Sequence, residues 1–186
     1  ADNQLLLDEY VGDRITARNF ESQSRLWPNY KTDYKPLVDF AKAEGLRFIA
    51  TNVPRRYASA VHQGGFEALE DFSPQAREYI APLPVPYDPS LPGYAAMMDM
   101  GSMSDHTSSN LPKAQAIKDA TMGHFIVKAL DGNGLMLHLN GTYHSNNREG
   151  ILWYVEKYRP GTRQLAIATV EQDSLDRLSD ESLRLA

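Results

Sequence analysis

Leu135 to Ser145 reads LMLHLNGTYHS, and no other stretch constrains the chain as much. Mostly apolar residues run up to an Asn140-Gly141 turn, and the stretch carries two histidines, His138 and His144. A short apolar run bounded by turn residues predicts a buried β-strand. A strand that sets a Gly and a His just past its C-terminal end is a common way of building a site in an α/β protein.

Two further stretches share this logic. LRFIATN, 46–52, predicts a strand that passes directly into Val53-Pro54-Arg55-Arg56, with Pro54 read as the first residue of a helix closed by Gly64-Gly65. QLAIATV, 164–170, predicts a third strand. Helical patterns fill the intervals. One covers 4–12, ended by Gly12, and another lies within 15–30. A third has Pro36 in its first turn and Gly45 just past its end. The longest runs from Pro112 to Leu130, and one more spans about 147–158 before Pro160-Gly161. Strand and helix in alternation predict a parallel sheet flanked by helices. Three strands are few for so many helices, so the reading is of an α/β domain lacking its N-terminal strands.

Residues 66–95 break the pattern, with Pro74, Pro82, Pro84, Pro86, Pro89 and Pro92 set among Phe66, Phe72, Tyr79, Tyr87 and Tyr94. Long irregular segments in small domains are often functional. The stretch 66–110 therefore reads as a connector packed on the core or as a lid over a ligand. Its Met-rich part, 95–103, suits core packing or contact with a flat ligand.

At 186 residues the chain has the length of a single domain, 1–186. A net charge of −5 gives no electrostatic reason to expect nucleic-acid binding. The absence of Cys removes disulfides, thiolate metal sites and Cys nucleophiles. No apolar stretch reaches the ~18 residues of a membrane span. The chain opens at Ala1 directly into a helical pattern, which reads as a processed chain or a fragment.

In an open parallel sheet, ligands sit beyond the C-terminal strand ends. Those ends offer Asn52, Arg55 and Arg56, then Asn140, Tyr143 and His144, then Glu171. Two arginines at a helix start oppose the helix dipole. A carboxylate or propionate ligand would explain them, and a surface acid would explain one. His144, in a turn, is a better functional candidate than His138, which reads first as a core histidine. Tyr143 is either a packed aromatic or an anionic oxygen ligand for ferric iron. His124 reads as helix surface or packing, and His62 and His106 as solvent-facing. There is no GxSxG elbow, HExxH or phosphate-binding glycine loop. His138 and His144, six apart, do not have a zinc spacing.

Taken in order, RLWPNYKTDYKPLVDFAK, FIATNVPRRYASAV, PGY, KAQAIKDATMGH, HLNGTYHS and KYRPG resemble the ChaN-like haem-binding proteins. These are bacterial, iron-regulated envelope proteins distantly related to erythromycin-esterase and Tiki-type hydrolases. The resemblance covers about residues 4–171. It implies an α/β fold and a haem pocket, often shared by two subunits. It also implies an iron-binding tyrosine, with His and Lys near the propionates. Gly141 and His144 match the GxxH motif of the wider superfamily, and Asn52, Arg55 and Arg56 match the NVPRR motif. The tyrosine candidates are Tyr143, Tyr94, Tyr57 and Tyr87, and Lys113 and Lys118 are candidates for the propionates. The family's opening Gly-Glu-x-His strand has no counterpart here, so the chain looks like the C-terminal two-thirds of a longer protein. The resemblance thus implies a homodimeric haem-binding protein of bacterial iron acquisition. It would act in the cell envelope and meet the membrane only through a lipid anchor outside this chain. The rival expectation is an esterase-like hydrolase with His144 as general base and Arg55 stabilising an oxyanion.

Overall fold

The computed structural model describes residues 1–102, 110–130, 132 and 134–169. The chain divides into two compact units, Ala1–Ala50 and Thr51–Ala186. The GSMSDHTSSN loop with His106, apart from its two ends, and Val170, Glu171 and the tail lie outside the described residues.

The first unit holds helices α1 (Gln4–Val11), α2 (Ala17–Gln23) and α3 (Lys35–Ala43). Thr16 caps α2 by accepting from the Asn19 amide, the arrangement that satisfies an otherwise orphaned N–H. Pro36 sits in the first turn of α3, where its missing N–H costs nothing. Gly45 follows that helix at φ +63°, in the left-handed region that glycine enters without strain. The core is Leu7, Tyr10, Phe20, Tyr30 and Val38, with Tyr10 stacked on Phe20 at 4.7 Å between centroids. Its polar edge is tied by Tyr10 donating to Asp39 at 2.9 Å and by the Lys35–Asp39 pair, also at 2.9 Å.

The second unit is built on α7 (Leu111–Ala129), which packs against α4 (Arg55–Gly64), α6 (Pro92–Ser102) and α8 (Ile151–Tyr158). A short α5 (Pro74–Arg77) lies between α4 and α6. The buried residues of α7 include Ala114, Ile117, Ala120, Met122 and Ile126, and they occupy most of its circumference. A helix enclosed in this way needs small residues where neighbours come closest. Gly123 is such a point: a Cβ there would lie 2.8 Å from the Tyr154 Cβ and 3.3 Å from the Val155 nitrogen. Tyr154, fully buried, donates to the Pro86 carbonyl at 2.7 Å. The buried Thr121 hydroxyl accepts from the Ala81 amide at 3.2 Å. These two bonds fasten the proline-rich stretch to the helices. Among the described residues no helix is long and apolar enough to cross a membrane.

The expected parallel sheet is overturned. Among the described residues there is no strand, and every regular element is a helix. The α/β reading therefore gives way to a helical one. The segments 46–50, 134–141 and 162–169 are non-helical but carry no ladder. Near the first, one side chain does what a neighbouring strand would do. The Gln4 amide donates to the Phe48 carbonyl at 2.9 Å and accepts from the Ala50 N–H at 2.7 Å. In the second segment the two-residue alternation survives without a sheet. Met136 packs against Met122, Ile126, Ile151 and Val155, and His138 bonds Thr51. Leu135, Leu137 and Leu139 face outward, at 100%, 76% and 46% exposure. Leu165 and Ile167 are likewise exposed. An apolar run signals burial on both faces only if something covers the second face. Here nothing among the described residues does.

Gly123→Val tests the α7–α8 contact. The added side chain has no room against Tyr154 and the α8 backbone. The expected loss is about 2 kcal/mol, typical of overpacking, read as a lower urea midpoint. An unchanged midpoint would mean that this contact is slack.

Candidate functional site

The middle of α7 carries a carboxylate where the packing is tightest. Asp119 has 0% exposure. An unpaired charge there would cost several kcal/mol, and two neighbouring groups answer it, with a third bonded to one of them. Tyr94, on α6 and also buried, donates its hydroxyl to Asp119 Oδ2 at 2.8 Å. His144, in the short helical turn Thr142–His144, sets Nδ1 2.5 Å from Asp119 Oδ1. Gln115, one turn earlier on α7 and itself buried, sets Nε2 2.8 Å from the same His144 nitrogen.

Backbone geometry makes this approach possible. Gly150, buried at φ +54°, lies where a Cβ would collide with the His144 carbonyl and stand 3.4 Å from Asp119 Cγ. Next to it, Glu149 accepts from the Gly93 amide at 2.8 Å. The loop that carries His144 is thus held against the start of α6, the helix that supplies Tyr94.

Burial is the largest influence on the ionisable groups. It pushes the Asp119 carboxyl up, opposed by its bonds to His144 and Tyr94. It pushes the Tyr94 phenol far up, with the Asp119 charge acting in the same direction. Tyr158 is pushed up to about 12 by burial alone.

The two histidines of the 135–145 stretch have different surroundings. Asn140 donates to the Gly141 carbonyl and to the Ser145 hydroxyl, each at 3.0 Å. Its oxygen therefore faces His138 Nδ1 at 3.1 Å, which fixes the proton on Nδ1. His138 Nε2 then accepts from the Thr51 hydroxyl at 2.8 Å. Both ring nitrogens of His138 are used. In His144 both contacts fall on Nδ1, and among the described residues Nε2 has no hydrogen-bond partner. The His144 side chain keeps 19% exposure, so Nε2 is the nitrogen open to a ligand.

Of the sequence candidates, Tyr94 and His144 meet at Asp119. Tyr143 is 73% exposed beside His144. Asn52, Arg55 and Arg56 lie exposed at the start of α4. Arg56 stacks over the Tyr57 ring at 4.5 Å and donates to its hydroxyl at 3.3 Å. Tyr87 packs between Phe66 and Tyr94. Half-buried Lys113 has its Nζ 6.0 Å from the Phe66 ring centre, and Lys118 Nζ is 3.5 Å from Gln115 Oε1. Glu171 lies outside the described residues. Sequence reasoning missed Asp119 and Gln115. The available signal was their four-residue spacing in AQAIKDATM, which puts an amide and a carboxyl on one face of the helix. Among the described residues no three His, Asp or Glu side chains group as a metal site.

A family model described as haem-binding uptake, Tiki superfamily, ChaN matches residues 1–155. The chain belongs to that family. No curated protein and no solved structure matches it. Within this ChaN-family chain, Tyr94, Asp119 and His144 all fall inside the matched region.

Burial holds His138, and more weakly buried His124, below the ordinary imidazole value of 6.5. A base depressed in the folded state binds fewer protons than in the unfolded chain. Its contribution is therefore intact above 6.5 and is lost as pH falls below it. Asp119 has the opposite sign, since a raised carboxyl recovers stability as pH falls. The contribution of His138 is isolated by comparing wild type with His138→Gln in thermal melts between about pH 7 and pH 5. The wild type is expected to lose more of its midpoint on acidification than the variant. Parallel profiles would contradict the assignment.

Proposed function

We propose that this protein binds haem in bacterial haem or iron uptake, with His144 and the α4 arginines facing the porphyrin's acidic edge. The observation that carries the reading is the Asp119–His144 pair, which holds the ring by Nδ1 and leaves Nε2 without a hydrogen-bond partner among the described residues. Family membership supplies the ligand class. The residues suit such a ligand. A buried partner fixes the imidazole, exposed Arg55 and Arg56 carry positive charge, and Arg recognises carboxylates through paired donors.

Haem, when bound, would supply a ferric iron, which a tyrosine oxygen would hold, and propionate carboxylates, which hydrogen-bond donors would hold. The Tyr94 hydroxyl is committed to Asp119, so Tyr94 serves as a support. Tyr143, Tyr57 and Tyr87 stay as candidates, and Asn52 and Lys113 as edge contacts. The finer expectations belong to the same proposal: a homodimer in the cell envelope, held by a lipid anchor. A second reading, an esterase-like hydrolase, draws on the same pair, because a buried carboxylate behind a histidine also orients a general base.

Hemin titration followed by absorbance tests the first reading. Arg55→Ala combined with His144→Ala is expected to weaken binding about tenfold or more, the effect of losing hydrogen bonds to a charged group, with the circular dichroism unchanged. Undiminished affinity would move the site elsewhere. Turnover of aryl esters, abolished by His144→Ala in a protein that does not bind hemin, would establish the second reading instead. Tyr→Phe variants at 143, 57 and 87 then name the axial ligand by loss of the tyrosinate charge-transfer band.

A further inference from the structure

The contacts around His144 Nδ1 do not all fit one familiar picture. In the usual Asp–His pair the imidazole donates from Nδ1 to an ionised carboxylate. Here Gln115 Nε2 stands 2.8 Å from that same nitrogen, and an amide NH2 only donates. A protonated Nδ1 would oppose it, donor against donor. Turning the amide over does not help. Lys118 Nζ lies 3.5 Å from Gln115 Oε1, and an ammonium has no acceptor, so it favours the oxygen on its own side. Nδ1 is therefore an acceptor. The proton between it and Asp119 Oδ1, across 2.5 Å, then belongs to the carboxyl. Tyr94 completes the pattern by donating to the other oxygen.

We propose that Gln115 and Asp119 are positioning residues that hold His144 as its Nε2–H tautomer, so that the site offers an outward hydrogen-bond donor. A donor there recognises an acceptor, a carboxylate above all. It is the wrong form for a general base and for a metal ligand, both of which need a lone pair on Nε2. The tautomer rests on the contacts alone. Its use against a propionate rests on the haem reading above.

The test is long-range ¹H–¹⁵N correlation on histidine-labelled, ligand-free protein at neutral pH, with the His144 signals assigned through His144→Gln. The expected result is a protonated Nε2 and a bare Nδ1. Gln115→Glu replaces a donor with an acceptor and is expected to move the proton to Nδ1. Asp119→Asn keeps a donor facing Nδ1 and is expected to preserve the Nε2–H form, which covers the case in which Gln115→Glu fails to fold. A protonated Nδ1 in the wild type, or a tautomer indifferent to Gln115→Glu in a folded variant, overturns the proposal. Use of the donor is read with hemin and with hemin dimethyl ester, which lacks free carboxylates. Hemin is expected to bind about tenfold or more tightly than the ester, and His144→Ala to remove most of that preference. Equal affinity for the two ligands overturns the carboxylate role. An Nε2–H tautomer in a protein that binds neither ligand upholds the tautomer and sinks the haem reading alone.

Discussion

The second unit depends on one carboxyl group placed where water does not reach. Asp119 sits in the most enclosed part of α7, and leaving it charged and unpartnered would cost a large part of a domain's net stability. The elements around it answer that constraint. α6 contributes Tyr94, the turn after residue 140 contributes His144, and Gly150 gives that turn room to come close. Glu149 fastens the same loop to the start of α6. The site and the packing are therefore one arrangement. The groups that satisfy the buried carboxyl also orient the imidazole that faces outward.

Enclosure of α7 also explains why the site was hard to find in the sequence. The helices themselves were largely legible. Gly12 closes α1, Pro36 lies in the first turn of α3, Gly45 follows that helix with positive φ, and Gly65 ends α4. Each is a local rule about backbone freedom or a missing N–H, and such rules hold whatever surrounds the helix. Pro54 stands one place outside α4 as its cap, a shift of the size that helix ends commonly show. Asp119 obeys no local rule. On a surface helix a buried acid stands out because the apolar stripe predicts which face is inside. α7 is buried on most sides, so its sequence offers no such contrast, and KDATMG reads like an ordinary turn of helix.

The sheet that the sequence leads one to expect fails for the converse reason. FIA, LMLHL and QLAIA have the composition of buried strands, and composition is what an apolar-run argument detects. A strand, however, is defined by its partner. Without a ladder, FIA and LMLHL are only partly covered, and residues 165–169 are exposed throughout. Met136 lies in the α7–α8 cluster while Leu135 and Leu137 stand in solvent. The loss of the sheet removes one ground for grouping the candidate residues and leaves another in place. A shared strand edge would group Asn52, Arg55 and Arg56 with His144, and among the described residues there is no such edge. His144 was also chosen for its place in a turn after an apolar run, and that feature remains.

The two histidines of that stretch show what separates support from recognition. They lie six residues apart, and each bonds an amide side chain, Asn140 for His138 and Gln115 for His144. Asn140 presents its oxygen because its NH2 is used by Gly141 and Ser145. Gln115 presents its NH2 because its oxygen faces Lys118. The imidazoles are set in opposite senses by these neighbours. His138 donates from Nδ1 and spends Nε2 on Thr51, which leaves it closed and bound to the frame. His144 accepts at Nδ1, and among the described residues its second nitrogen has no hydrogen-bond partner. One residue type in one turn thus takes two roles, and the orientation of a neighbouring amide decides between them.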